Sequence, residues 1–186
     1  MELSKCIRNI LKHIDSEIFI KKNSIFYIQD LIYKFIKRII NICDLIINEH
    51  NLKFVNENTV KTTFLIITKK KSNNNLLKLC IKNCENSLKN FKEYDRSCFS
   101  LDRANLSNKS NLTISTNIIK KIVNQLSRTK INTKGLIYLS ALIEYLICEL
   151  LDISVKNTKK NGNKKITIES IEKSITDDIE LNFILD

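Results

Sequence analysis

Lysine and arginine side chains cluster in the segments that the sequence pattern predicts to be loops. Lys21 and Lys22 form one cluster, and further clusters lie between residues 128 and 134 and between residues 156 and 165. The chain carries a formal net charge of +11 and has a sequence pI of about 9.4. Cationic groups grouped in this way favour a polyanionic partner, either nucleic acid or an anionic membrane surface. A basic surface that serves only solubility is the simpler alternative.

Two segments of this basic chain avoid lysine and arginine altogether, namely residues 135–155 and 176–186. The acidic side chains that we single out in them are Glu144, Glu149, Asp152, Asp177, Asp178 and Glu180. Their separation from the basic clusters predicts an acidic patch that binds a basic partner, with carboxylates available for bidentate arginine contacts. The alternative is a solvated helix face whose negative charge is favourable near a helix start.

The residues needed for catalysis or for metal binding are not arranged in any recognisable pattern. We find no Ser/His/Asp set, no P-loop and no dinucleotide-binding fingerprint, and His13 and His50 are not spaced with the cysteines as zinc ligands would be. We therefore expect no enzyme activity, no catalytic residues, no metal and no cofactor. We also expect no direct reading of DNA bases, because the chain shows no recognition helix and no aromatic stacking platform.

Cysteine usage and hydropathy indicate the cellular setting. The chain has six cysteines without a CxxC pair, and most of them occupy apolar helix positions, which favours reduced thiols in a cytosolic or nuclear protein. The first residues contain no apolar signal-peptide core, so we do not expect secretion. No apolar run approaches the length of a membrane span.

The apolar spacing predicts an all-α protein in which one helical pattern occurs twice. The chain has no proline and two glycines, so little interrupts its helices. Each pass reads short helix, long helix, short helix, near residues 4–15, 24–50 and 56–68 and again near 115–126, 135–155 and 168–176. The apolar seam that we predict for the first long helix is Ile25, Ile28, Ile32, Phe35, Ile39, Ile42 and Ile46.

The last short helix of each pass starts in the same way. Val55–Asn56 with Val60, and Ile166–Thr167 with Ile171, each give an apolar residue, a capping residue and an apolar residue in the next turn. One such unit cannot bury both sides of its long helix, so we expect the two long helices to cross and cover each other. The polar segment 92–111 is then a linker outside the core, which makes the pair an intramolecular dimer.

Residues 112–185 resemble histone two-A. Gly135, Tyr138, Leu139, Glu144, Tyr145, Glu149 and Leu150 match its long-helix signature, and Leu181, Asn182 and Leu185 match its last helix. Residues 1–91 resemble histone two-B more weakly. The order of the two halves is similar to that of the fused histone doublets of large DNA viruses. The resemblance implies two domains, 1–91 and 112–186, joined by the linker 92–111.

The resemblance implies two histone folds paired as a pseudo-heterodimer. The first loop of one half then lies beside the second loop of the other, which forms an arc of positive charge suited to DNA phosphates. The residues expected to bind DNA are Arg8, Lys12, Lys21, Lys22, Lys53, Lys120, Lys121, Arg128, Lys130, Lys134, Lys159, Lys160, Lys164 and Lys165.

By this resemblance the chain is a structural protein that wraps double-stranded DNA without sequence preference, in a nucleosome-like particle. Its expected partners are DNA, a second histone doublet or core histones, and arginine-anchored peptides at the acidic patch. Its expected location is the nucleus, or a viral factory and virion. One alternative is a histone-fold subunit of a transcription or regulatory complex that acts through protein contacts. Another is a helical adaptor unrelated to DNA.

Overall fold

The computed structural model describes residues 3–68, 75–97 and 105–185, which are almost entirely helical. The helices are α1 (Leu3–Ile14), α2 (Lys22–Glu49), α3 (Glu57–Thr68), α4 (Asn75–Ser97), α5 (Leu106–Lys109), α6 (Thr116–Leu126), α7 (Thr133–Lys160), α8 (Ile168–Asp177) and α9 (Ile179–Leu185). Two short strands, β1 (Phe19–Ile20) and β2 (Lys165–Ile166), accompany them. The prediction of a mostly helical protein is confirmed, while the strand pair was not predicted.

The chain divides into two compact units that do not follow the predicted domain boundaries. The terminal unit comprises the chain up to Phe35 together with the chain from Tyr145 onward, and the central unit comprises Ile36–Glu144. Each unit therefore takes segments from both halves of the sequence. The predicted boundaries at residues 91 and 112 stay a prediction.

The core of the terminal unit is built mainly from isoleucine and leucine on α1, α2, α7, α8 and α9. The predicted seam of α2 is buried here at Ile25, Ile28, Ile32 and Phe35. A serine pair joins α7 to α8, because the Ser154 and Ser174 hydroxyl oxygens lie 3.2 Å apart and both side chains are buried. Polar groups at this depth are tolerated because each hydroxyl also bonds a backbone carbonyl of its own helix.

In the central unit the buried face of α2 departs from the predicted seam. Ile39 is buried, but Ile42 and Ile46 are half-buried, and Ile40, Cys43 and Ile47 take their place. The predicted seam repeats every 3.5 residues, whereas an α-helix turns every 3.6 residues. The buried face therefore drifts by about 20° per heptad along a straight helix and moves onto the next row of side chains.

Contacts between helices of the central unit are partly polar. The Cys43 sulfur lies 3.2 Å from the Thr63 hydroxyl, which joins α2 to α3. Lys61 and Glu85 form an ion pair of 2.7 Å that joins α3 to α4 on the surface. Burial raises the pKa of the Cys43 thiol to about 11, so this sulfur remains a protonated packing group at neutral pH.

The predicted linker contains more structure than its polar sequence indicated. Helix α4 continues to Ser97, and α5 follows within the same segment. Ser107 and Ser110 are buried, and the Lys109 ammonium lies 5.1 Å from the centre of the Tyr94 ring. The last part of the segment 92–111 therefore contributes buried side chains, the assignment of the segment as a linker stays a prediction, and residues 98–104 lie outside the described residues.

The cysteines that the structure describes, Cys6, Cys43, Cys80, Cys84 and Cys148, form no disulfide with one another, and Cys98 lies outside the described residues. No group of possible metal ligands occurs among residues 3–68, 75–97 and 105–185. Among the helices described, none is both long and apolar enough to cross a bilayer.

Candidate nucleic-acid interface

The first basic site forms where β1 meets β2, and we call it the terminal junction (residues 18–24 and 164–169). The strands are parallel, with Phe19 opposite Lys165 and Ile20 opposite Ile166. The Phe19 amide donates to the Lys164 carbonyl at 2.9 Å, and the Lys21 amide donates to the Ile166 carbonyl at 3.2 Å. These bonds hold a loop from the first half of the chain against a loop from the second half, so that both sets of lysines belong to one site.

The lysines of the terminal junction are exposed, as a phosphate-binding surface requires. Lys21 and Lys22 follow β1, and Lys164 and Lys165 end the loop that enters β2. Arg8, Lys12 and Lys160 in the same unit are also exposed. Lys159 differs from them because its ammonium lies 2.5 Å from the Asp15 carboxylate, an ion pair that raises the pKa of Lys159 and lowers that of Asp15. A phosphate must displace Asp15 to use Lys159.

The two helices that start at the terminal junction differ in how their first amide groups are satisfied. Helix α8 has a capping box, in which the Thr167 hydroxyl accepts from the Ser170 amide and the Ser170 hydroxyl accepts from the Thr167 amide. Two amide groups at the start of α8, those of Thr167 and Ser170, are therefore already hydrogen-bonded. Helix α2 has no acidic residue in its first turn, and its buried Ser24 hydroxyl donates to the Ile166 carbonyl at 3.2 Å. Of these two helices, α2 is therefore the one whose amino-terminal end can attract an anion.

The second basic site, the central junction (residues 53–56 and 130–135), has the same backbone arrangement. Val55 and Ile131 form a parallel bridge, in which the Val55 amide donates to the Lys130 carbonyl at 2.8 Å and the Asn132 amide donates to the Val55 carbonyl at 2.9 Å. Gly135 lies so close that a β-carbon there would be 2.8 Å from the Val55 carbonyl oxygen. This approach requires glycine, since any side chain would push the two loops apart.

Each loop of the central junction leads into a capped helix. The Asn56 side-chain oxygen accepts from the Thr59 amide at 2.9 Å at the start of α3. The Asn132 side-chain oxygen accepts from the Gly135 amide at 2.7 Å at the start of α7. Val55 and Val60 are both buried, as are Ile166 and Ile171 in the terminal junction. The two hydrophobic staples predicted from the sequence are therefore present with their caps.

A groove of about 540 Å³ next to the central junction is lined by basic side chains. Lys120, Arg128 and Lys130 line it, together with Ser127, whose hydroxyl donates to the Asp44 carboxylate at 2.8 Å. These basic side chains are exposed, and so are Lys53, Lys121 and Lys134. All the predicted DNA-binding residues are therefore exposed. Each lies in one of the two junctions or elsewhere in the unit that contains that junction.

The predicted acidic residues do not all share one environment. Glu144 belongs to the central unit, where its carboxylate accepts from the Ile114 amide at 2.7 Å. Asp178 caps α9 by accepting from the Glu180 and Leu181 amides, both at 2.9 Å. Asp177 is exposed and Glu180 is half-buried. Glu144 and Asp178 thus stabilise the fold. The Glu144–Ile114 bond depends on tertiary structure, whereas the Asp178 cap is a local signal, an aspartate directly before a helix.

Glu149, Asp152 and Asp178 lie close enough in the terminal unit to affect each other electrostatically. Burial raises the pKa of Glu149, and the charges of Asp152 and Asp178 raise it further, while a hydrogen bond from Tyr145 lowers it. Lys156 forms an ion pair with Asp152 at 2.5 Å. This lysine lies one residue beyond the base-free segment 135–155, so the cluster is less acidic than that segment indicated.

Two features of the junctions were not indicated by the sequence. The strand pairs are two residues long or shorter, which is too short for alternation of apolar and polar residues to predict. The large side chains of Phe19 and Phe54 are exposed beside the lysines. An isolated phenylalanine in a sequence is usually assigned to the core, and only the structure shows that these two are exposed.

Comparison with known proteins places part of this chain near the histones. Over 66 residues it is 35% identical to the histone two-A of Encephalitozoon cuniculi (strain GB-M1). The match covers 36% of this chain and 52% of that protein, so this chain spans about half the length of the relative. No family model matches the sequence. The similarity supports a histone-like protein and does not extend to a fused doublet or to a viral source.

Proposed function

We propose that this chain is a structural, histone-like protein that binds double-stranded DNA through its phosphate backbone. The observation that carries the proposal is the pair of junctions: each is a parallel contact between two loops, and each is surrounded by exposed lysine and arginine side chains. Phosphates recur along a duplex at fixed spacing, so a protein that presents grouped cations on rigid loops gains affinity without reading bases.

The finer proposal is a pseudo-heterodimer of two histone folds that wraps DNA together with a second histone doublet or core histones. It is supported by the matched helix order of the two halves, the matched staples, and the similarity of part of the chain to a histone two-A. The nucleus, or a viral factory and virion, is the corresponding location. A regulatory histone-fold subunit is the alternative, and it predicts that the chain joins partner proteins but assembles no DNA-wrapped particle with a second doublet.

The proposal is tested by a salt titration of duplex binding. For the intact chain, log affinity is expected to fall with log salt concentration by about 0.9 per phosphate neutralised. The double substitutions Lys21→Ala/Lys22→Ala and Lys164→Ala/Lys165→Ala should weaken binding to two unrelated duplexes equally and make the slope shallower, by about one unit per lost contact.

Lys78→Ala/Lys82→Ala is the matched control, because it removes the same charge from exposed positions on α4. This control should leave the slope nearly unchanged. Equal effects of the junction and control substitutions would show that net charge alone, and not the junctions, drives binding. A strong preference between two duplexes that have the same number of pyrimidine–purine steps would contradict backbone recognition.

We also propose that Glu149 and Asp152 form the centre of an acidic docking surface for arginine-anchored peptides. Because Lys156 already pairs with Asp152, an incoming arginine must compete with it. Glu149→Ala/Asp152→Ala should weaken peptide capture with DNA affinity unchanged, whereas Lys156→Ala should strengthen capture. Peptide affinity measured by fluorescence polarisation tests this, with Glu49→Ala on α2 as the exposed acidic control. Unchanged capture in the double variant would return these acids to a solvated helix face.

A further inference from the structure

Each junction presents one exposed phenylalanine. Phe19 in the terminal junction has 62% of its surface exposed, and Phe54 in the central junction has 44% exposed. Single exposed apolar residues are common on protein surfaces and usually need no explanation. The same residue type occurs beside the strand contact in both junctions, which points to a shared role for the two rings.

In each junction the ring lies beside an exposed lysine of the facing segment. Side chains alternate between the two faces of a strand, and residues opposite each other in a parallel pair share a face. In the terminal junction Ile20 and Ile166 turn inward, so Phe19 and Lys165 share the outer face. In the central junction Phe54 lines a groove of about 380 Å³ together with Lys134, and both side chains are exposed. Each junction therefore presents an exposed ring with an exposed lysine close to it.

An exposed ring gains little from contact with water, whereas a ring and a lysine together can both contact a nucleic acid. A lysine beside the ring can neutralise a phosphate while the ring contacts the apolar part of the same nucleotide step. Proteins that bend DNA insert apolar side chains between base pairs from the minor groove in this way, and nearby cations hold the backbone. The rigidity that this requires is present, because backbone hydrogen bonds to the facing loop hold both Phe19 and Val55, the residue after Phe54.

We propose that Phe19 and Phe54 are apolar wedges that enter the minor groove of bent duplex DNA, each beside a phosphate held by Lys165 or Lys134. This inference rests on the proposed function and goes beyond it, since lysines alone would bind the backbone without touching the bases. It gives the protein a preference for flexible pyrimidine–purine steps, such as TA, at the points of contact. Such a preference comes from the ease of unstacking and needs no hydrogen bonds to base edges.

The first test separates the rings from the lysines. Phe19→Ser and Phe54→Ser should each lower affinity by roughly tenfold on a duplex with TA steps, the size expected for loss of a ring–base contact. They should lower it less on a stiff A-tract duplex. The slope of log affinity against log salt should stay the same, because no charge is removed. Leu45→Ser is the matched control, since Leu45 is 67% exposed on α2 and should not affect binding.

The second test detects the ring directly and uses the fact that the chain contains no tryptophan. Phe19→Trp and Phe54→Trp each create a single fluorescent reporter, and Leu45→Trp is the control. On binding a duplex that carries 2-aminopurine at a central TA step, the tryptophan at 19 or 54 should be quenched and shielded from acrylamide. The 2-aminopurine emission should rise as its step unstacks.

The outcomes separate this inference from the proposed function. Loss of affinity only in the lysine variants, with tryptophan emission at 19 and 54 unchanged on bound DNA, would overturn the wedge and leave backbone binding intact. Quenched tryptophan without unstacking of the 2-aminopurine would place the rings on the sugars and also overturn the wedge. Tighter binding to single strands than to duplexes would show a stacking surface instead. No DNA binding by the intact chain would overturn both proposals.

Discussion

Glu149 shows how one residue can be unfavourable for folding and useful for binding. Its carboxyl group is half-buried, and its pKa is raised by that burial and by the charge of Asp152. A hydrogen bond from Tyr145 acts in the opposite direction and lowers the pKa. A carboxylate that has lost part of its hydration gains more from a new cationic partner than a fully solvated one does. The same feature that weakens the fold at neutral pH thus prepares the side chain to bind arginine.

The pH dependence of stability tests this account of Glu149. Because its pKa is higher in the folded than in the unfolded chain, the folded state holds the proton more tightly, so this residue contributes more stability as pH falls through the raised pKa toward the unfolded value. Glu149→Gln should therefore stabilise the chain at pH 7, by up to about 1 kcal/mol. It should also flatten the rise in stability on mild acidification.

The measurement is urea unfolding at several pH values between about 2.5 and 7, because the effect of Asp15 lies below its ordinary pKa of 3.8. Asp15→Asn is a control of opposite sign, since hydrogen bonding to Lys159 lowers the pKa of Asp15. A group of that kind contributes stability above its unfolded pKa and loses it as pH falls through the lower folded value. An unchanged pH profile in Glu149→Gln would show that the carboxylate is not strained in the folded state.

At the scale of the element, the sequence predicted the helices well because apolar periodicity and capping residues act locally. The starts of α3 and α8 were predicted from Asn56 and Thr167, and both side chains make the expected bonds. The start of α6 was predicted from Ser115 or Thr116. Ser115 is its N-cap residue but makes no side-chain cap bond, and Ser107 accepts from the Thr116 amide at 2.8 Å instead. The cap supplied by Ser107 could not be predicted, because Ser107 reaches the Thr116 amide through a tertiary contact.

The capping residues give a matched set of substitutions. Asn56→Ala and Thr167→Ala should each lower the free energy of unfolding by about 1 kcal/mol, because each leaves buried or half-buried amide groups unsatisfied. Ser115→Ala should cost much less, since its side chain makes no cap bond. Ser107→Ala should cost about as much as the true caps. Chemical denaturation measures all four, and a larger loss in Ser115→Ala than in Ser107→Ala would contradict the assignment.

The limits of prediction for the candidate site have the same physical origin. Exposure of the lysines followed from their loop positions, whereas Lys159 and Lys156 turned out to be paired with Asp15 and Asp152. The Lys159–Asp15 pair joins groups that are distant in sequence and could not be predicted, whereas Lys156 and Asp152 are one helical turn apart on α7, so their spacing alone allowed that pair to be predicted. The drift of the buried face along α2 was missed because a 3.5-residue repeat was assumed for a straight helix.

At the scale of the whole molecule, each compact unit needs both halves of the sequence. The terminal unit combines the chain up to Phe35 with the chain from Tyr145, and the central unit includes α3 and α4 from the first half with α6 from the second. An isolated half would expose the faces of α2 and α7 that are buried in these units. The segment between α4 and α5 then acts as a tether, which raises the effective concentration of one half near the other.

We therefore expect residues 1–97 and 105–186, produced as separate chains, to lack cooperative unfolding when alone and to recover it when mixed. A covalent link of this length corresponds to an effective concentration in the millimolar range, so mixing the halves at about 1 μM should cost roughly 4 kcal/mol of apparent stability. The mixed halves should also become more stable as their concentration rises, unlike the intact chain. Circular dichroism during urea titration at two concentrations measures this.

The matched control is the intact chain carrying a protease site within residues 98–104, which should behave as the mixed halves do once it is cut. Cooperative unfolding of either half alone would show that the two halves fold as independent domains, with the boundaries that the sequence predicted.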